Sequence, residues 1–150
     1  MSNCVLAPSL LSADFGGLAA SIKKIEEGGG GVVHIDVMDG AFVPEVSFGQ
    51  IVARSLRPLT KLPFDVHLMV NNPENQIDSF AAAGADWITF HQEAAPGREE
   101  ELIKKIHGLG KKAGVSVKPG TSIQTLKNSL NSADIILIMR SEERRVGKEC

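Results

Sequence analysis

Gly31-Val32-Val33-His34-Ile35-Asp36-Val37-Met38-Asp39-Gly40 is the stretch that decides the fold. Its alternation of apolar and polar residues reads as a β-strand, and Asp39-Gly40 closes it with a turn. Val33, Ile35 and Val37 share one face, while His34, Asp36 and Met38 share the other. Residues 64–70 repeat the device, with Asp65, His67 and Met69 on one face and Val66, Leu68 and Val70 opposite. The apolar faces suit packing under helices. The other faces carry two imidazoles and two carboxylates, which are costly to bury unless paired or bound to a metal. They mark a site.

Working outward, residues 5–11 read as a first strand that places Ala7 and Ser9 on one face. Leu18, Ile22 and Ile25 then trace one side of a helix, which ends at the four glycines 28–31. A phosphate-binding glycine loop follows a strand and opens a helix, whereas this one does the reverse, so it is a turn. A helix over residues 48–56 leads through Pro58 to the strand around His67, and Asn72-Pro73 starts the next helix. Further strands are expected at residues 86–91, 115–117 and 135–139. Between them lie a charged helix burying Leu102, Ile103 and Ile106, and a helix capped by Thr121 and running to Leu130.

One strand and one helix recur roughly every 25 to 30 residues, the beat of parallel sheets and barrels, whose functional groups sit at the C-terminal strand ends. A flavodoxin-like open sheet accommodates the strand count but offers no role to inward-facing His and Asp, because helices cover both its faces. The chain has 150 residues, 43% of them apolar, and a formal charge of −2. That suffices for one domain with a sizeable core and gives no reason to expect nucleic acid or an anionic membrane as partner. No signal peptide or transmembrane run is expected. Cys4 and Cys150 form neither a disulfide framework nor a Cys-x-x-Cys pair, so a reducing cytoplasm is the default compartment.

A His-x-Asp on one strand, with a His at matching depth on the next, can place three ligands around one ion, and this donor set suits zinc, iron, manganese or cobalt. The alternative is a pair of neutral buried histidines, each hydrogen-bonded to a carboxylate. Met38 and Met69 would form an apolar collar beyond the ligands, or simply fill the barrel top. Ser9 offers a hydroxyl to a substrate or to backbone, and Asp65 can orient a ligand from behind. Asp39 reads as a turn residue and His107 as a satisfied surface histidine. His91 and Lys118 end strands on the functional rim, either as substrate contacts or as ordinary surface groups.

Four ordered motifs carry a resemblance. They are Leu6-Ala7-Pro8-Ser9-Leu10-Leu11-Ser12-Ala13-Asp14, His34 to Gly40 followed by Phe42-Val43-Pro44, Asp65-Val66-His67-Leu68-Met69-Val70, and Lys118-Pro119-Gly120-Thr121. Over residues 5–139 the chain resembles the ribulose-phosphate 3-epimerase family, departing at Ala41, where the family commonly has histidine, and at Glu45, where it commonly has asparagine. The resemblance implies a (β/α)8 TIM barrel interconverting D-ribulose 5-phosphate and D-xylulose 5-phosphate, a phosphorylated ketopentose pair. It implies one divalent metal ion held by His34, Asp36 and His67. Asp36 would double as one of two acid/base carboxylates acting at C3 through an enediolate. Ser9, His67, Met38, Met69 and Met139 would line the substrate. An epimerase of allulose 6-phosphate, or a catalytically inactive metal-binding fragment, are the alternatives, and homo-oligomerisation stays open.

Past Met139 the resemblance ends. Arg140-Ser141-Glu142-Glu143-Arg144-Arg145-Val146-Gly147-Lys148-Glu149-Cys150 lacks the Pro-Gly-Phe-Gly-Gly loop of the family. The later aspartate that is both fourth ligand and second acid/base, and the phosphate-binding loops, are also not found. The expectation is therefore an incomplete barrel domain over residues 1–139, of about five and a half β/α units, with a charged tail over 140–150. Such a polypeptide would not epimerise at a meaningful rate, and it would leave the edges of its first and sixth strands exposed.

Overall fold

The computed structural model describes residues 4–139. The expected charged tail, and with it the boundary drawn for a separate tail, lies outside the described residues. Five strands alternate with helices: β1 (Val33–Met38), β2 (Phe64–Met69), β3 (Trp87–His91), β4 (Lys112–Val117) and β5 (Ile135–Ile138). All neighbours pair in parallel, in the order β1-β2-β3-β4-β5. Strands adjacent in sequence are adjacent in space, so each connection crosses over one face. The helices are α1 (Leu18–Glu27), α2 (Gln50–Leu56), α3 (Ile77–Ala82) and α4 (Glu99–Gly108). This is the incomplete α/β barrel architecture the sequence led us to expect.

The hydrophobic core lies between the sheet and its helices. Val33, Ile35, Val66, Leu68, Ile88, Phe90, Ala113 and Val115 are buried on the strands, against Ile22, Leu56, Phe80, Leu102, Ile103 and Ile106 on the helices. Full burial of each valine, leucine, isoleucine or phenylalanine side chain contributes about 1.5–3 kcal/mol through removal of apolar surface from water. Period-two alternation then leaves the other face of every strand pointing inward. There the chain places Asp36, Asp65, His67, Thr89, His91 and Ser116, all buried. Gly114 faces Thr89 across β3 and β4, where an added Cβ would stand 2.1 Å from the Thr89 hydroxyl oxygen. Only glycine fits there.

Three expected elements differ. The first strand is not a regular one: residues 5–11 contribute a single parallel bridge, Ser9 to His34, before a 3-10 turn (Leu10–Ser12). Leu6 O accepts from Gly31 N and Pro8 O from His34 N, so the segment runs alongside β1. Pro8 has no N–H to return, and Val5 and Leu6 stay exposed. The helix expected over residues 121–130 is a 3-10 helix (Ile123–Asn128), capped by Ser122 rather than Thr121. The strand expected at residues 115–117 begins three residues earlier, at Lys112, extended by pairing with Trp87.

Candidate metal centre

Register builds the site. Asp36 stands opposite His67, and His34 opposite Asp65, along the β1–β2 pair. Neighbouring inward side chains on the two strands are therefore held at one depth. The His34 Nε2 and His67 Nδ1 atoms lie 3.2 and 3.1 Å from Asp36 Oδ1. One ligand atom from each of these three residues falls within 4.8 Å of the others. The backbone here is fixed by Ser47, whose hydroxyl donates to Asp36 O (2.5 Å) and accepts from Met38 N (3.0 Å).

The second polar atom of each of these residues is already engaged. His34 Nδ1–H donates to Asp65 Oδ2 at 2.7 Å. Ser9 Oγ donates to Asp36 Oδ2 at 2.5 Å. His67 Nε2 lies 2.9 Å from His91 Nε2. What remains are two imidazole nitrogens and one carboxylate oxygen that converge, the chemistry of a borderline divalent cation. The donor set fits one ion, with coordination positions left over for other ligands. On the same inward face Asp65 Oδ1, Thr89 Oγ1 and Ser116 Oγ are buried without a hydrogen-bond partner among the described residues, as suits a polar interior serving a ligand rather than a sealed core.

Electrostatics follow from burial and contact. Burial alone would lower the His34 pKa, but its hydrogen bonds to Asp36 and Asp65 prevail and lift it to about 10. Burial likewise opposes charge on Asp36, yet bonds from His34, His67 and Ser9 hold its carboxyl far below the usual carboxylate range. His91 is pushed down to about 4 by burial, reinforced by its neighbour His67. Burial would raise Glu93, but hydrogen bonds from Thr121 and the Lys118 backbone bring it below its ordinary value.

The candidate residues divide clearly. His34, Asp36, His67 and Ser9 come together, with Asp65 behind His34. Met38 and Met69 are register partners at the strand ends, 3% and 1% exposed. Met139 follows β5 and lines an open cleft of about 500 Å³ with Val117, Lys118 and Thr121. Asp39 is a turn residue: its carboxylate accepts from Ala41, Phe42 and Asn71 N. His107 is a surface group paired with Asp134 at 2.8 Å. Lys118 donates to Phe42 O and lies 3.5 Å from the Phe42 ring centroid. His91, expected on the rim as a substrate contact or a surface group, is instead fully buried against His67. Two signals were available: alternation puts Trp87, Thr89 and His91 on one face of β3, and Glu93 follows two residues on.

Residues 5–149 match the model of the Ribulose-phosphate 3 epimerase family. The ribulose-phosphate 3-epimerase of Treponema pallidum (strain Nichols) is 49% identical over 134 residues, covering 89% of this chain and 61% of that protein. That of Bacillus subtilis (strain 168) is 46% identical over 136 residues, again covering 89% and 61%. The chloroplastic ribulose-5-phosphate-3-epimerase of Arabidopsis thaliana is 40% identical over 139 residues, covering 92% of this chain and 50% of that one. The chain thus spans between 50% and 61% of the length of these relatives. Among solved structures, the 7,8-dihydropteroate synthase from Vibrio fischeri ES114 superposes with a TM-score of 0.59 at 11% identity, covering 80% of this chain and 46% of that one. This last likeness concerns the fold alone.

Proposed function

This chain belongs to the ribulose-phosphate 3-epimerase family, and from that premise we propose that its site serves the interconversion of D-ribulose 5-phosphate and D-xylulose 5-phosphate. The observation that carries the reading is the clustering of His34, Asp36 and His67, with His34 Nε2 and His67 Nδ1 3.2 and 3.1 Å from Asp36 Oδ1. His34, Asp36 and His67 would hold a divalent ion, zinc, iron, manganese or cobalt by the donor set. When bound, such an ion supplies Lewis-acid polarisation of a ketone oxygen and offsets negative charge developing there.

The residues of the chain do the rest. The Asp36 carboxylate is kept ionised by His34, His67 and Ser9, so it is available to take the proton from C3, and Ser9 fixes its orientation. Met38 and Met69 form a buried apolar collar at the strand ends that keeps water from the carbanionic intermediate. Met139 and the rim of its cleft are assigned to the substrate chain. Inversion needs the proton returned to the opposite face of C3, hence a second acid/base group. Among the described residues Asp36 is the one carboxylate in the ligand cluster, so these residues supply one half of the exchange.

The test is to incubate the 150-residue polypeptide and zinc with D-ribulose 5-phosphate in heavy water and follow C3 by NMR. Deuterium should enter at C3 with little conversion to D-xylulose 5-phosphate, and Asp36→Asn should abolish the exchange. Exchange that survives Asp36→Asn, or its absence from a zinc-loaded wild-type chain, would overturn the assignment of Asp36.

A further inference from the structure

We propose that Glu93 and His91 are positioning residues that act through His67, setting which of its ring nitrogens faces a metal ion; this inference rests on the metal reading above. His91 is fully buried, with Nδ1 3.2 Å from Glu93 Oε2 and Nε2 2.9 Å from His67 Nε2. The other oxygen of Glu93 accepts from Lys118 N at 2.7 Å, so the carboxylate is anchored independently of the ring. An ionised carboxylate only accepts, which places the His91 proton on Nδ1 and leaves its Nε2 a lone pair. Two ring nitrogens 2.9 Å apart need a proton between them, and here it must belong to His67. Without a cation His67 Nδ1–H donates to Asp36 Oδ1 at 3.1 Å. A cation displaces that proton and not the one held on Nε2 by His91, so the ring that binds presents the Nδ1 lone pair beside Asp36 Oδ1.

His34 is arranged in the same way in one step: its Nδ1–H bonds Asp65, so Nε2, which faces Asp36 Oδ1, is the nitrogen whose proton a cation displaces. The site thus backs each imidazole with a carboxylate, directly for His34 and through a second imidazole for His67. The packing around His91 keeps its ring from turning over. Phe42 lies against it with ring centroids 4.8 Å apart, and the Lys118 ammonium stands 3.5 Å from the Phe42 ring centroid. Residues from the loop after β1 and from the ends of β3 and β4 therefore converge on a histidine outside the ligand cluster.

The experiment titrates Zn²⁺ alone into the full 150-residue chain by calorimetry, for wild type, His91→Leu, His91→Gln and Glu93→Gln. Long-range proton–nitrogen NMR reads the imidazole tautomers of the metal-free proteins. His91 is expected to carry its proton on Nδ1 in wild type. His91→Leu and Glu93→Gln should each weaken zinc binding about 10- to 100-fold. His91→Gln should retain most of it, because its amide oxygen still accepts from His67 Nε2. Should the leucine variant fail to fold, the contrast between His91→Gln and Glu93→Gln decides the matter. Wild-type affinity in both His91→Leu and Glu93→Gln, or in Glu93→Gln where the leucine variant does not fold, overturns the relay and leaves the metal site standing. A wild-type His91 protonated on Nε2 also overturns it. A wild-type chain that binds no zinc overturns the metal reading and the relay together.

Discussion

Asp36 and His67, 31 residues apart in sequence, stand directly opposite each other on β1 and β2, with Oδ1 and Nδ1 3.1 Å apart. Parallel pairing in that register, rather than any local motif, brings a carboxylate and an imidazole to one depth of the barrel interior. His34, two residues before Asp36 on the same face, completes the cluster. The consequences can be measured one residue at a time.

Asp65 does not reach the cluster; it holds His34 Nδ1 at 2.7 Å from behind. Asp65→Asn can offer a donor to that nitrogen and so permits the wrong tautomer. Zinc affinity should fall about 10- to 100-fold, while the far-ultraviolet circular dichroism of the fold is unchanged. Unaltered affinity would remove Asp65 from the site.

Gly114 is required by Thr89. A methyl group at position 114 would meet the Thr89 hydroxyl oxygen at 2.1 Å and its Cβ at 2.9 Å. Gly114→Ala should destabilise the chain by about 1–3 kcal/mol in urea denaturation. Adding Thr89→Ala removes the closest atom and should recover part of the loss. A double variant no better than Gly114→Ala alone would refute the contact.

Asp39 links stability to acid. Burial is the largest single influence and opposes its charge, but the backbone N–H groups of Phe42, Asn71 and Ala41 together outweigh it and bring its pKa below the ordinary 3.8. A lowered folded-state pKa gives stability that is fully present above pH 3.8 and is lost as the pH falls through the folded value. Asp39→Ala should therefore cost about 1 kcal/mol at neutral pH, discounted for the exposure of the group. The cost should shrink below pH 3.8. A variant whose deficit is the same at pH 7 and at pH 2.5, measured by thermal unfolding, would contradict this role.

Much of this was legible in the sequence because the decisive strands carry their chemistry in period two. His34 and Asp36 alternate with Val33, Ile35 and Val37, and Asp65 and His67 with Val66 and Leu68, so face and depth follow from spacing. Residues 5–11 misled because an apolar run containing Pro8 looks like a strand, while Pro8 cannot complete the ladder to β1. Thr121 and Ser122 offer equivalent hydroxyls, and only the backbone geometry chooses Ser122. His91 escaped for a different reason. Its strand alternates like the others, but nothing in that spacing shows that His67 and Phe42, from distant segments, pack against it. A histidine is assigned by what surrounds it, and that is a tertiary property.

The proposed reading of the site stands on His34, Asp36 and His67 holding one ion. The most direct test is X-ray absorption at the zinc edge on the 150-residue chain loaded with one equivalent of Zn²⁺, beside Asp36→Ala and His67→Ala. The prediction is one ion per chain, with two imidazole nitrogens and a carboxylate oxygen among its ligands. One imidazole should be lost in His67→Ala, and binding should fall sharply in Asp36→Ala. A zinc shell without imidazole, or one unchanged in either variant, would contradict the account.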